Sequence, residues 1–220
     1  MSTRTATPRT RSRSAPARPS RPPVRRRRRK VLRRRIAFLV AVAVGGLAIA
    51  LAIAPWADHA VQEVTLPLRH DDIIRQQAED KDLDPALIAG VIFTESHFID
   101  QTSHAGAKGL MQLMPETAAY IAQKSGGTAF VQGDLGTPQV NIAYGSWYLR
   151  HLLDKYDGRV ALALAAYNAG QGNVDAWLAA SDGEFRAADH IPFPETRAYV
   201  RKVLEARDDY RREYARELGL

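Results

Sequence analysis

Apolar residues along this chain fall into one unbroken block near the N-terminus and, further on, into spaced groups at helical intervals. The block, Ile36 to Ala54, is nineteen uncharged and almost wholly apolar residues (IAFLVAVAVGGLAIALAIA). As a helix rising 1.5 Å per residue it would span about 28 Å, close to the hydrocarbon thickness of a bilayer. A core helix normally keeps a polar edge, and this block has none, so a single transmembrane helix is expected over residues 36–54.

From Asp71 onward the spacing predicts helix almost everywhere. Asp84-Pro85 reads as a cap followed by proline at the first helical position, opening ALIAGVIFTES; Thr137-Pro138 does the same for a helix through Leu153. A short apolar helix is expected from Val160 to Tyr167, and a last one from about Glu195 to Glu217, with Tyr199, Val200, Val203 and Leu204 on its apolar side. Neither strand alternation nor a repeat of 20–50 residues is present. The expected fold class is all-α, with loops at 97–109, 125–136 and 181–194 and a turn at Gly170-Gln171-Gly172.

Charge divides the chain. Residues 1–35 contain fifteen Arg or Lys and no Asp or Glu, which leaves 16 of the 31 basic side chains against all 24 acidic ones in the remainder. The tail has too little apolar surface to fold and is expected to be disordered. Its Arg25–Arg35 run before the apolar block orients that block with the N-terminus in the cytoplasm, so everything after Ala54 is expected outside the cytoplasmic membrane. Ala52-Ile53-Ala54 resembles a signal-peptidase site, but the block exceeds the usual secretory core of about 7–15 residues, and Pro55 follows the cut. A single-pass anchor is the expectation, with residues 55–70 as a tether and 71–220 as one catalytic domain. The acidic remainder offers no continuous basic face, so nucleic acid is not an expected partner.

The absence of cysteine excludes disulfides, thiolate metal sites and a cysteine nucleophile. No HExxH, GxSxG or phosphate-binding loop occurs, the six histidines are scattered, and neither a metal nor any other cofactor is expected. The informative carboxylate is Glu95. It follows Ile88 by seven positions and Val91 by four, which leans it towards the apolar side of its helix. Desolvation there would raise its pKa towards the range of a general acid at neutral pH; a head turned into solvent at the last turn is the alternative. After it comes SHAGAKGLMQLMP at Ser103–Pro115, a loop of small residues that lets a backbone or polymer approach closely, and further on AYNAG at Ala166–Gly170.

These residues resemble the catalytic domain of the soluble lytic transglycosylases, relatives of goose-type lysozyme. The resemblance rests on ESxF at Glu95–Phe98, SxxGAxGLMQxMP at Ser103–Pro115, AYNAG at Ala166–Gly170 and PETxxYV at Pro194–Val200, four motifs in the family's order. It covers about Asp71 to Arg207 and implies a lysozyme-like helical fold. It further implies Glu95 as the single catalytic acid and base, with the Tyr167 hydroxyl near its carboxylate. Glu195 and Tyr199 are implied as cleft supports, Ser103, Met111 and Gln112 as lining of the sugar groove, and Asn168 as a residue shaping the turn. Glu95 stands eight positions before Ser103, one fewer than in the family's usual pattern, and Ile99-Asp100 replaces its usual Asn-Pro. The contact made by Ser103 is therefore where this chain departs from the pattern.

The implied substrate is peptidoglycan, cleaved between N-acetylmuramic acid and N-acetylglucosamine without water to leave a 1,6-anhydro end. Ordinary glycoside hydrolysis uses two carboxylates, and no second one stands out beside Glu95. A hydrolytic muramidase on the same fold and a non-catalytic wall-binding scaffold stay open as alternatives. A monomer is expected, with cell-wall assembly machinery as a further candidate partner.

Overall fold

The computed structural model describes residues 65–126, 132–181, 186 and 190–220, together with scattered positions between 37 and 52. The chain divides into two units, Met1–Ala57 and Asp58–Leu220. In the first, the described positions are helical and all but Gly45 are exposed. The expected disordered tail and much of the expected membrane segment lie outside the described residues. Among those that are described, no helix is long and apolar enough to cross a membrane.

The second unit is built of α1 (Asp71–Lys81), α2 (Pro85–Ser96), α3 (Pro115–Ser125), a 3-10 turn (Gln132–Gly136), α4 (Pro138–Lys155), α5 (Val160–Ala169), α6 (Gln171–Ala179), α7 (Pro194–Glu213) and α8 (Ala215–Leu218). No strand occurs among the described residues; two isolated bridges, Thr102 to Lys108 and Lys108 to Leu113, close the loop after α2.

Two helices form the centre. α2 starts at Pro85, where the Asp84 carboxylate accepts the Ala86 N–H at 3.0 Å and caps the first turn. Ala86 to Ile92 are then buried without a break, so α2 is apolar on every side rather than along one stripe. α5 is its counterpart, with Leu162 to Ala166 all buried. α7 lies along α2 and also contacts α5, while α4 packs against α5 and α1. The close approach of α7 to α2 needs Gly90: a Cβ there would stand 2.9 Å from both the Arg207 nitrogen and the Val203 carbonyl oxygen.

Three boundaries differ from expectation. The last helix is not continuous to Glu217 but breaks at Tyr214 (φ −128°, ψ 29°) before α8. The break lies where Tyr210 and Tyr214 donate to the carbonyls of Pro67 and Leu66, at 2.5 and 2.8 Å. For the same reason the expected tether ends early, since Leu66 and Leu68 pack against the core. Gly170, at φ 88° and ψ 148°, alone forms the junction between α5 and α6, so Gln171 and Gly172 belong to a helix rather than to a turn.

Candidate active site

The site begins where α2 stops. His97 and Phe98 both adopt left-handed backbone, at φ 53° and 61°, which halts the helix just beyond Glu95. Left-handed conformation costs a non-glycine residue on the order of 1–2 kcal/mol. Burial of Phe98, only 2% exposed and 5.9 Å from the Tyr210 ring, offsets that cost and pins the turn.

The loop 97–114 is held by side chains that sequence reasoning missed. The buried Ser96 hydroxyl donates to the Leu110 carbonyl at 2.7 Å and lies 3.1 Å from that of Ile92, joining the end of α2 to the loop. Asn141, fully buried in α4, accepts the Met111 N–H at 2.7 Å and donates to the carbonyls of Lys108 and Leu135, each at 2.9 Å. Gly109 (φ 75°) permits this: a Cβ there would lie 2.2 Å from the Asn141 amide nitrogen. A signal for Asn141 exists in the sequence, because it shares one helical face with Ile142, Gly145, Leu149 and Leu152, where an uncharged polar residue implies buried partners.

The anticipated groove residues take distinct places. The Ser103 hydroxyl accepts the Ala107 N–H at 3.0 Å and closes the tip of the loop. Gln112 (φ 46°) turns its amide nitrogen inward, donating to Gly109 and Gln101 carbonyls at 2.7 and 3.0 Å. Met111 is fully buried; its side chain occupies the space over Gly145, so its backbone carbonyl is what it presents to the site.

Tyr167, near the end of α5, donates to that Met111 carbonyl at 2.9 Å. The next residue, Asn168, is exposed and accepts from the buried Thr196 hydroxyl at 2.8 Å, which couples α5 to the first turn of α7. Thr196 is a second missed residue. It lies three positions before Tyr199 and four before Val200, on the same buried side of α7. Glu195 is exposed at the start of that helix.

Glu95 is half-buried and accepts a hydrogen bond from the Tyr199 hydroxyl at 2.8 Å on Oε1. Burial raises its pKa from 4.5 to about 7, and the Tyr199 hydrogen bond acts in the opposite direction. The burial comes from the position of Glu95 at the end of a helix enclosed on all sides, more than from a lean towards one apolar stripe. Burial, and after it the charge of Glu95, also push the Tyr167 and Tyr199 hydroxyls well above the usual phenol range. Both therefore remain neutral donors. The arrangement is a carboxyl group poised to give or take a proton near neutral pH, with one fixed donor to its charged form. Among the described residues, no group of three or more His, Asp or Glu is placed to hold a metal ion.

Comparison with known proteins bears on this geometry. Residues 72–189 match the transglycosylase SLT domain family. The soluble lytic murein transglycosylase of Salmonella typhimurium is 35% identical over 157 residues, which cover 69% of this chain and 24% of that protein. The membrane-bound lytic murein transglycosylase C of Actinobacillus pleuropneumoniae is 32% identical over 166 residues, 63% of this chain and 44% of that one. Among solved structures, an inactive glutamate-to-glutamine mutant of the lytic transglycosylase Slt from Pseudomonas aeruginosa superposes with a TM-score of 0.65 at 36% identity. That match covers 70% of this chain and 26% of that one. The chain thus spans about a quarter of the length of its soluble relatives. With a family match over more than half of its residues and relatives above 30% identity, the chain belongs to the transglycosylase SLT domain family.

Proposed function

We propose that the chain is a peptidoglycan lytic transglycosylase in which Glu95 serves as acid and then as base. The observation that carries this reading is the Glu95 carboxyl itself: half-buried, with a pKa of about 7, and hydrogen-bonded by Tyr199. The shift comes from burial and not from a neighbouring carboxylate, so the site has the character of a single-carboxyl catalyst.

In the first step protonated Glu95 donates to the glycosidic oxygen between N-acetylmuramic acid and N-acetylglucosamine. The bond from muramic C1 to that oxygen breaks, the glucosamine leaves as an alcohol, and C1 becomes oxocarbenium-like, stabilised by the neighbouring N-acetyl oxygen. Tyr199 donates to the Glu95 carboxylate that now exists, which favours the charged form when it is needed. In the second step that carboxylate takes the proton of the muramic C6 hydroxyl as O6 bonds to C1. The 1,6-anhydro ring closes, Glu95 is protonated again, and no water is consumed.

Tyr167 braces the Met111 carbonyl beside this centre, and Asn168 with Thr196 fixes the adjoining turn. Ser103 and Gln112 are assigned to the groove through the loop they close, and Glu195, exposed in the first turn of α7, is assigned to its rim. The activity for which the soluble relatives are named supports the chemistry, and the inactive glutamate-to-glutamine relative supports an essential glutamate. Residues 36–54 are proposed to anchor the chain in the cytoplasmic membrane with residues 1–35 inside, in keeping with the membrane-bound relative. The enzyme would act as a monomer on glycan strands and is a candidate client of cell-wall assembly machinery.

The test is digestion of purified sacculi by the full chain, with Glu95→Gln in parallel, and mass spectrometry of the fragments. Fragments one water lighter than hydrolytic products, absent with Glu95→Gln, are expected. Hydrolytic products would replace this reading with a muramidase.

A further inference from the structure

A cluster of rings outside the catalytic centre carries an inference that rests on the reading above. Trp147 and His151, one turn apart on α4, stack in parallel with ring centroids 5.3 Å apart and planes 7° from parallel. Tyr120 of α3 hydrogen-bonds His151 Nε2 through its hydroxyl at 3.1 Å and meets the imidazole edge to face at 5.7 Å. All three side chains are half-buried, packed on the inside and reachable by water on the outside. None has a place in the proton transfers at Glu95.

The cluster is continuous with the site. Tyr148 lies 6.3 Å from the His151 ring and 5.5 Å from that of Tyr167, whose hydroxyl donates to the Met111 carbonyl and which is close enough to Glu95 to feel its charge. A line of rings thus leads from the catalytic centre to the junction of α3 and α4. We infer that Tyr120, Trp147 and His151 form a stacking shelf for a pyranose ring of the same glycan strand, a few sugars away from the bond that is cut.

The chemistry fits a sugar better than a peptide side chain. A β-linked N-acetyl hexose presents a flat face of C–H bonds edged by hydroxyl and amide groups. The shelf presents flat apolar ring faces edged by an indole N–H, an imidazole and a phenol hydroxyl. Rigid rings already braced against one another lose little conformational freedom on binding. Burial, followed by the charges of Lys155 and Lys124, pushes His151 below its usual pKa, so its ring stays neutral and suited to stacking. Lys124 also lies 6.0 Å from the Tyr120 ring, a cation at the shelf's edge for the carboxylate of a muramic substituent.

The test is calorimetric titration of the full chain carrying Glu95→Gln, which prevents turnover, with N-acetylglucosamine trimer and hexamer. The hexamer should bind about tenfold more tightly than the trimer, the scale of one added ring stack. Adding Trp147→Ala should abolish that difference and leave trimer affinity unchanged; His151→Ala should act in the same direction, and Trp147→Phe should restore most of it. Unchanged hexamer affinity in Trp147→Ala, equal losses for both lengths, or no binding of either oligomer would overturn the shelf. Hydrolytic products from the wild type, with the length preference intact, would overturn the transglycosylase reading and leave the shelf standing.

Discussion

Replacing Glu95 by Gln should stabilise the folded protein at alkaline pH and leave its stability unchanged in acid. Below pH 4.5 the carboxyl is protonated in both folded and unfolded chains, so it contributes no penalty. Between 4.5 and about 7 the unfolded chain releases the proton while the folded chain holds it, and stability falls as pH rises. Above about 7 both states are ionised and the deficit is constant. A shift from 4.5 to about 7 corresponds to about 3 kcal/mol. This is an upper bound, because the side chain keeps some contact with water. Gln has the same shape and still offers an oxygen to the Tyr199 hydroxyl. Urea unfolding of both proteins at pH 4 and pH 8 reads the difference directly. The thermal unfolding midpoint at pH 8 should rise by up to roughly 6–12 °C, at 2–4 °C per kcal/mol for a chain of this size. Equal stability changes at both pH values, or a less stable Glu95→Gln protein at pH 8, would refute a desolvated acid at this position.

Tyr199→Phe removes the donor that favours ionised Glu95, so the alkaline limb of the sacculus-digestion pH profile should move to higher pH; an unmoved limb would mean that the 2.8 Å bond does not influence the acid. Gly90→Ala should cost about 1–3 kcal/mol in urea unfolding, because its Cβ would meet backbone atoms of α7, which cannot swing aside as a side chain can. Asn141→Ala strands the Met111 N–H and the Leu135 carbonyl, at roughly 1–3 kcal/mol for each group left unpaired, while the Lys108 carbonyl keeps the Leu113 N–H at 3.0 Å. Hydrogen exchange in loop 97–114 should accelerate in that variant before the helices are affected.

Helices were legible where a local signal marks their start. Asp84-Pro85 and Thr137-Pro138 place α2 and α4 within a residue or two, because cap and proline act within the first turn. The break at Tyr214 was not legible, since it coincides with hydrogen bonds to Leu66 and Pro67, almost 150 positions earlier in the chain. Glu95 could be singled out from its neighbours, but the source of its burial could not: apolar residues at i and i+4 suggest a stripe, whereas α2 is enclosed on every side. Tyr199 as its hydrogen-bonding partner follows from the approach of α7 to α2 at Gly90, a fact of packing between helices about a hundred residues apart. Met111 illustrates the opposite limit. Its motif suggests a groove side chain, and the fold instead places its thioether over Gly145 and its carbonyl under Tyr167.

The central claim is that one carboxyl, held by burial in its protonated form up to about neutral pH, performs both proton transfers. Its most direct test is carbon-13 NMR of side-chain-labelled glutamate across pH 4 to 9, with the Glu95 signal identified by its loss in Glu95→Gln. The account predicts a midpoint of about 7 that coincides with the alkaline limb of activity. A midpoint near 4.5 would contradict it.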